Sequence, residues 1–485
     1  MFAAQLVVAQ LVAAQLVVAT LALDVGVVGG GVAGLSCARR LQELGIVATV
    51  FDTGKRAPGG RACSRMWRGH VVDHAAQFIT ARDAEFARHM ASLERDGMVR
   101  RMGSDELGVV RQPGVAEPFD SSELRYVVHG GLGAFAASAA DGLDVRQDVW
   151  VSPNGGIRFV SGGGWLLQES REVERAFDAI VIAHNGKCAE RLTSTQPALD
   201  VHALLRARFA PALPKGGDGG GGRFTLNSMY SLLVEVPVGT LPSSLGVAAF
   251  VECEPALRFL SNNGAKHAEP GKPRETEVWT VLSSGQFGKK HKAPQEFLSG
   301  TPKEEEVVSL MLAALARAAG CTEDSLSSAV IATKLQLWGA ALPLNCWSGG
   351  ACAFNARYRI GVCGDWFRAG DSPPSTIESA WLSGRALAER LAQEAASAEA
   401  GDDYGDDVGL ALGPGGGQFV PIDSGFGDGA ANGASAQWLT TPAAGASSRA
   451  ARGRGRGAGR RAQSPDSARV RSGSRRNTRS RNPTS

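Results

Sequence analysis

Three glycines and one aspartate near the start of the chain have the spacing of a dinucleotide-binding turn. Gly29, Gly31 and Gly34 occupy the glycine positions of a G-x-G-x-x-G sequence, and Asp52 follows eighteen residues after the last of them. Such glycines let the backbone approach a pyrophosphate, whose charge is attracted by the N–H groups at a helix N-terminus. A carboxylate at this distance can accept hydrogen bonds from a ribose hydroxyl. These residues predict a site for an ADP-containing cofactor, and alone they do not separate NAD from FAD.

Residues further along the chain favour FAD. The Gly-Gly-Arg sequence at 59–61 supplies flexible backbone and a guanidinium that can pair with phosphate. The sequence Arg359-Ile-Gly-Val-Cys363 predicts a strand that ends in Gly364-Asp365. Ser375 and Glu378 then form an S-x-x-E capping box, which predicts that a second helix begins there. A second helix N-terminus is therefore expected to point out of the same domain.

The elements that must position these residues form the start of a Rossmann-type domain. The apolar run 24–28 predicts a strand that leads directly into the glycine turn. Apolar residues recur at helical spacing from Val32 to Leu44, and Gly45 predicts the end of that helix. Residues 46–51 predict a second strand, after which Asp52 follows. This order of strand, turn, helix and strand is a complete βαβ unit.

The sequence resembles the flavin-containing amine oxidase superfamily, and within it the renalase-like branch. The resemblance extends over nearly all of residues 24–395. Besides the glycine turn, Asp52 and the Gly-Gly-Arg, its motifs are Asp73-His-Ala-Ala-Gln-Phe-Ile-Thr-Ala-Arg-Asp83, Gly130-Gly-Leu-Gly133, Phe177-Asp-Ala-Ile-Val-Ile-Ala183, Leu335-Gln-Leu-Trp-Gly-Ala-Ala-Leu-Pro343 and Cys363-Gly-Asp-Trp366.

The resemblance implies a role for individual residues. Val149, in a predicted strand over 145–151, would meet adenine through its backbone, and Asp365 would bind the ribityl chain. Thr376 and Ile377 would donate backbone N–H groups to the pyrimidine edge of the flavin. The strand setting of Cys363 argues against a covalent tether, so noncovalent FAD is expected. The implied cofactor-binding residues are Gly29, Gly31, Gly34, Asp52, Gly60, Arg61, Gln77, Phe78, Val149, Asp365, Thr376 and Ile377.

Catalytic residues are harder to identify, because oxidation of a C–H bond by a flavin needs mainly orientation of the substrate and exclusion of water. Gln77 and Trp338 are the candidates, the first by its approach to the flavin ring and the second as an aromatic wall. Trp366 is a second candidate wall. Proton transfer, if the substrate demands it, could use a histidine within the matching motifs, namely His74, His129 or His184.

The predicted fold class is α/β, with a discontinuous FAD-binding domain and a mixed-sheet α+β substrate domain. The FAD-binding domain is expected to comprise 22–82, 131–195 and 345–399, and the substrate domain 83–130 and 196–344. Between 224 and 338, alternating apolar runs precede an amphipathic run over 304–319, which indicates a sheet with a covering helix. The glycine-rich stretch 215–222 predicts a long surface loop.

Both ends of the chain have a biased composition. Residues 1–21 form a low-complexity apolar extension that repeats Ala-Gln-Leu-Val; its lack of a basic segment argues against a signal peptide or membrane anchor. Residues 400–485 are rich in Gly, Ala, Ser and Arg and predict a disordered tail. From Arg449 onward the tail has a net charge of +11, which leaves −8 for the rest. Nucleic-acid binding by the folded body is therefore not expected, whereas the tail could contact RNA or acidic partners.

The eight cysteines lack any C-x-x-C pair, and neither they nor the eight histidines cluster as metal ligands do. They predict reduced structural thiols, no metal site and a reducing compartment such as cytoplasm or plastid. The function expected is oxidation of a small amine or dihydronicotinamide-type substrate by FAD, with O₂ as final acceptor. The alternatives are an NADPH-dependent flavin monooxygenase, or a flavin-fold scaffold that acts through its basic tail.

Overall fold

The computed structural model describes residues 23–119, 123–213, 222–268, 271–294, 298–399, 405–410 and 417–422. The N-terminal extension at 1–21, nearly all of the glycine-rich stretch at 215–222 and the arginine-rich part of the tail lie outside these residues. None of the helices in the described ranges is long and apolar enough to span a bilayer.

The described residues form ten α-helices and twenty-five strands, labelled in chain order. Helices α1 to α10 are Val32–Glu43, Ala84–Arg95, Leu132–Ala140, Gly186–Thr193, Leu199–Leu205, Asn263–Lys266, Gly285–Lys290, Pro302–Ala319, Glu323–Ala329 and Ile377–Glu399. Strands β1 to β25 are Asp24–Val28, Val47–Phe51, Ser64–Trp67, His70–Asp73, Ile79–Ala81, Val99–Arg101, Leu107–Gln112, Val115–Pro118, Leu124–Val128, Asp144–Arg146, Ile157–Val160, Gly164–Gln168, Glu174–Phe177, Ala179–Ile182, Ala207–Phe209, Phe224–Leu226, Met229–Pro237, Ala248–Val251, Leu257–Asn262, Thr276–Ser283, Ala332–Trp338, Asn345–Trp347, Ala353–Asn355, Ile360–Val362 and Phe419–Pro421.

A six-stranded sheet in the order β10-β2-β1-β14-β24-β23 forms the centre of the dinucleotide-binding half. Its first five strands are parallel, and β23 pairs antiparallel with β24. Helices α1 and α10 pack on one face at close range, because Gly384 carries no side chain where a Cβ would lie 2.1 Å from the Ala33 carbonyl oxygen. The antiparallel strands β11 to β13 and the helices α4 and α5 cover the other face. The carboxyl ends of the parallel strands therefore meet at one edge, the usual place for a ligand.

A second, seven-stranded sheet has the order β21-β17-β20-β19-β18-β7-β8. Neighbouring strands are antiparallel except β18 and β7, so the sheet is mixed. Helix α8 covers one face, where Val307 and Met311 pack in the same core as Tyr230 and Leu232. The helix is delimited by the Thr301 N-cap and by Gly320 in the left-handed conformation. These two sheets confirm the predicted fold class, a Rossmann-type α/β domain with a mixed-sheet α+β partner.

One predicted strand is wrong over part of its length. The expected strand over 145–151 is replaced by β10, which ends at Arg146, and by an irregular segment. Asp148 has a φ of 56°, in the left-handed region, which interrupts an extended chain. The Val149 N–H then donates to the Asp52 carbonyl oxygen at 3.0 Å. This bond still directs the segment along the carboxyl edge of the six-stranded sheet.

Two segments that the sequence assigned to the tail lie against the folded body. Val408 bridges to Phe354, and β25 pairs with β22. Leu410 and Phe419 are buried in the core beneath the six-stranded sheet. The predicted start of the tail at residue 400 is too early for these segments, because a few apolar residues within a glycine-rich composition are enough to anchor them.

Candidate functional site

A cavity of about 670 Å³ extends along the carboxyl edge of the six-stranded sheet and into the mixed-sheet half. Its lining includes every cofactor-binding residue implied by the sequence except Gly34, and it also includes Trp338. Residues from five separate parts of the chain meet there, which are represented by Gly31, Arg61, Val149, Trp338 and Asp365. Cavities of this size are typical of small-molecule and cofactor sites.

The glycine turn has the geometry of a pyrophosphate cradle. Gly29 has a φ of 115° and lies against the Ala183 backbone. A Cβ on Gly34 would be 2.0 Å from the Gly29 carbonyl oxygen, so glycine at position 34 lets the first turn of α1 pack closely against the glycine turn. A Cβ on Gly31 would meet nothing within 4 Å and would project into open space. No side chain caps α1 at Gly31, so its first N–H groups are available to an anion.

Asp52 is held at the end of β2 by the turn that it faces. Its carboxylate oxygens accept hydrogen bonds from the N–H groups of Gly30 and Gly54, each at 2.8 Å, and the residue is 9% exposed. Each oxygen keeps a second acceptor position. Asp52 can therefore accept a ribose hydroxyl while it fixes the glycine turn.

Arg61 and Asp365 form a bidentate ion pair in the cavity wall. Arg61 Nη1 and Nη2 each donate to an oxygen of Asp365 at 2.8 Å, and Nη1 also donates to the Ala341 carbonyl oxygen at 2.8 Å. Burial opposes the charge on Arg61, but the carboxylate outweighs it and raises the pKa of the guanidinium. The guanidinium of Arg61 is therefore charged at neutral pH and is held in place by the Asp365 carboxylate.

The N-terminus of α10 points into the same cavity and is capped by Thr376. The Ser379 N–H donates to Thr376 Oγ1 at 3.0 Å, and the Thr376 N–H donates to Ser379 Oγ at 3.3 Å. The Thr376 N–H is thus engaged, and Ile377 lies beside it in the cavity lining. The helix dipole favours negative charge at this point.

The predicted Ser375–Glu378 capping box is wrong by one residue. Ser375 has a φ of 67°, which is unsuitable for an extended N-cap, and its N–H donates to the Asp365 carbonyl oxygen at 2.6 Å. The Glu378 carboxylate instead accepts hydrogen bonds from the backbone N–H groups of Arg82 and Asp83, at 2.7 and 2.6 Å. These bonds tie α10 to the Gly364-Asp365 turn and to the chain after β5.

Gln77 lines the cavity, but its amide group is bonded to the protein interior. Its Nε2 donates to the Asp73 carbonyl oxygen at 2.9 Å, and its Oε1 accepts from Lys266 Nζ at 2.9 Å. Lys266 also pairs with the Asp73 carboxylate at 2.9 Å, and His267 Nε2 lies 3.1 Å from the same oxygen. Burial alone would favour protonation of Asp73, but Lys266 and His267 hold its pKa well below the usual range. This buried cluster fixes the shape of the wall that Gln77 and Phe78 provide.

Trp338 lies in the cavity lining, where the sequence predicts an aromatic wall, whereas Trp366 belongs mainly to the core. Trp338 is half-buried in the cavity lining, stacks on His74 with ring centroids 5.6 Å apart, and donates from Nε1 to the His74 carbonyl oxygen at 3.1 Å. Trp366 also borders the cavity but is 1% exposed, and it stacks on Phe224 at 4.5 Å. Its ring is thus covered by other aromatic side chains.

The three candidate histidines differ in position. His184 lines the cavity, and burial lowers its pKa. His74 lies behind Trp338 outside the cavity lining, and burial together with Arg65 lowers its pKa to about 4, so it is neutral at pH 7. His129 is exposed and outside the lining. The structure therefore brings one of the three to the site.

Sequence reasoning missed several residues of this site. Trp150, 60% exposed, lines the cavity next to Val149 and could have been found from that neighbour. Lys266 had no signal in the sequence, because its burial depends on contacts between distant segments. The sequence also did not identify three lining residues of the mixed-sheet half, Met229, Phe259 and Leu282. Two further lining residues, Pro421 and Ile422, lie in the part of the chain that the sequence assigned to the tail.

The residues present fit an FAD. The open cradle at Gly31 and the uncapped N–H groups of α1 suit the pyrophosphate. At the other end the N-terminus of α10 suits a group that gathers negative charge. The Arg61–Asp365 pair lies in the same wall and offers charged donors and acceptors to the cofactor.

Comparison with known proteins agrees with this geometry. Residues 27–93 match the family described as NAD(P)-binding Rossmann-like domain. A candidate protoporphyrinogen oxidase from Exiguobacterium sp. 255-15 is similar in structure, with a TM-score of 0.53 and 10% identity over 77% of this chain and 99% of that one. Cyclohexylamine oxidase from Brevibacterium oxydans IH-35A is similar with a TM-score of 0.50 and 13% identity, over 77% of this chain and 99% of that one. These comparisons show the fold that the resemblance implies: the chain has an NAD(P)-binding Rossmann-like domain within an architecture similar to that of these two proteins.

Proposed function

We propose that the chain is an oxidoreductase with noncovalently bound FAD, which accepts a hydride from a small amine or dihydronicotinamide-type substrate and uses O₂ as final acceptor. The observation that carries this proposal is the continuity of the cavity. It begins at the Gly29–Gly31 turn, passes the Arg61–Asp365 pair and reaches the N-terminus of α10. When bound, FAD supplies the acceptor for the hydride.

The roles of the chain's own residues are binding, orientation and exclusion of water. Asp52 and the glycine turn bind the ADP half, and Asp365, oriented by Arg61, binds the ribityl chain. Val149 contacts adenine, while Thr376 and Ile377 face the pyrimidine edge. Phe78 and Trp338 restrict the space beside the ring, so a substrate carbon is held in one orientation.

The substrate side of the cavity favours an uncharged planar group over a diamine. Among the described lining residues the carboxylates are Asp52 and Asp365, and both are engaged with backbone N–H groups or with Arg61. Met229, Phe259 and Leu282 are apolar. A second ammonium group would therefore lose its hydration without gaining a carboxylate. This favours a dihydronicotinamide-type substrate over a diamine.

The test is a spectroscopic screen of the purified full chain. We expect the visible absorbance band of an oxidised flavin, and acid precipitation should release the flavin into the supernatant because the cofactor is noncovalent. Under anaerobic conditions a dihydronicotinamide isomer or an amine should bleach the band, and air should restore it with formation of hydrogen peroxide. Full chain that binds no FAD when the cofactor is supplied would overturn the proposal, and rapid bleaching by NADPH alone would replace it with the monooxygenase alternative.

A further inference from the structure

A short strand from the C-terminal region forms part of the cavity wall. β25 pairs antiparallel with β22, and the Ile422 N–H donates to the Leu344 carbonyl oxygen at 3.1 Å. Pro421 and Ile422 line the cavity together with Leu342 and Cys346. The segment 417–422 is therefore in contact with the space assigned to the cofactor.

This strand is anchored through an aromatic cluster. Phe419 is 3% exposed, and its ring centroid lies 5.0 Å from that of Trp347 and 5.9 Å from those of Phe224 and Trp366. Trp366 directly follows Asp365 in the chain. The same cluster therefore supports both the strand and the turn that presents the Asp365 carboxylate.

The second C-terminal segment strengthens this attachment. Trp347 Nε1 donates to the Gly409 carbonyl oxygen at 2.7 Å, so the segment 405–410 is bonded to the same indole that Phe419 contacts. Gly417 lies so close to Gly349 that a Cβ on Gly417 would be 2.5 Å from the Gly349 Cα. The chain is thus closely packed where it re-enters the body.

From these contacts we propose that residues 417–422 are a cofactor-binding element, which closes one wall of the FAD cavity and fixes the Asp365 turn from behind. This inference rests on the proposed function, since it presumes that the cavity takes FAD. It assigns a binding role to a part of the chain whose composition alone indicates a tail.

The first experiment compares three forms of the protein: the full chain, a chain that ends at residue 424 and a chain that ends at residue 404. FAD affinity is measured by fluorescence titration after removal of bound flavin. The chain that ends at 424 should bind FAD within 2-fold of the full chain, since it keeps both C-terminal segments. The chain that ends at 404 should bind at least 10-fold more weakly.

A point variant keeps the inference testable if the shorter chain does not fold. Ile422→Asp in the full chain introduces a charge into the wall and leaves the β22–β25 backbone bonds in place. It should weaken FAD binding at least 10-fold, while the midpoint of thermal unfolding without FAD stays within a few degrees of that of the unsubstituted full chain. The matched control is Gln418→Ala, whose exposed side chain lies on the same segment outside the cavity lining.

The outcomes separate the two proposals. If the full chain binds FAD and Ile422→Asp binds it equally well, the segment is not a binding element and the inference is overturned, whatever the chain that ends at 404 does, because that chain also lacks residues 405–410. If the full chain itself binds no FAD, the proposed function fails instead.

Discussion

The guanidinium of Arg61 and the carboxylate of Asp365, separated by 304 positions in the sequence, meet through two hydrogen bonds of 2.8 Å. The contact joins the loop after β2 to the turn after β24, so it connects the first and last parts of the dinucleotide-binding half. Each residue was expected to hold a different part of the cofactor. Their contact means that the two contributions are coupled, and a change in one alters the position of the other.

Asp365→Asn should therefore weaken FAD binding by more than the loss of one acceptor. The amide removes the charge that orients Arg61 and leaves a half-buried guanidinium without its carboxylate. Charge-assisted hydrogen bonds contribute about 1.5–3 kcal/mol, so we expect roughly a 10- to 100-fold weaker Kd. Fluorescence titration measures it, with the exposed Asp371→Asn as control; equal affinity in Asp365→Asn and the wild type would contradict the assigned role.

Local patterns made much of this site predictable from the sequence. The glycine turn, Asp52 and the strand before Asp365 depend on spacing within a few dozen residues, and the structure has these elements within a residue or two of where they were expected. The cap of α10 was misplaced because Ser375 and Thr376 are both good N-cap residues, and the left-handed φ of Ser375 decides between them. The Lys266–Gln77 contact and the strand at 419–421 depend on distant partners, which no local pattern encodes.

Two glycines of the same turn should respond differently to alanine. Gly31→Ala should leave stability nearly unchanged, because its φ of −73° suits alanine and its Cβ would meet nothing within 4 Å, but the methyl group should obstruct the pyrophosphate and weaken FAD binding. Gly34→Ala places a Cβ 2.0 Å from the Gly29 carbonyl oxygen, and overpacking of this kind costs about 1–3 kcal/mol or more. Urea unfolding without FAD and FAD titration separate the effects. A large loss of stability in Gly31→Ala would contradict the conclusion that a side chain at position 31 projects into open space.

The buried Asp73 should make stability depend on pH in a defined direction. Because Lys266 and His267 lower the pKa of folded Asp73 below its ordinary value of 3.8, the stabilisation is fully present above about pH 4 and is lost as the pH falls further. Asp73→Asn should cost about 3–5 kcal/mol at pH 7, since it leaves a buried cation without its partner. Urea unfolding from pH 7 to pH 3 should show the difference from wild type shrinking below pH 4, and the exposed Glu172→Gln should behave as wild type. A difference that stays constant over this range would argue against the ion pair.

Trp338 should affect reaction with substrate more than retention of the cofactor. Trp338→Phe keeps an aromatic ring near His74 but removes the hydrogen bond to the His74 carbonyl oxygen and part of the cavity wall. We expect FAD affinity within 2-fold of wild type and anaerobic flavin reduction about 10-fold slower, a change of about 1.4 kcal/mol in the barrier. Trp67→Phe is the control, because Trp67 is also half-buried but lies outside the cavity lining. Equal loss in both variants would indicate a general effect on packing.

Trp150 should become protected when the cofactor binds. Its side chain is 60% exposed at the edge of the cavity, next to the Val149 backbone that is expected to meet adenine. Stacking of a base on an aromatic ring contributes about 1–3 kcal/mol, so Trp150→Ala should weaken FAD binding about 10-fold and Trp150→Phe less. Acrylamide quenching of tryptophan fluorescence should decrease when FAD is added to the wild type, and this decrease should be smaller in Trp150→Phe. Val173→Ala removes another exposed apolar side chain, outside the cavity lining, and should change neither measurement. Quenching at Trp150 that is unaffected by saturating FAD would mean that adenine lies elsewhere along the cavity.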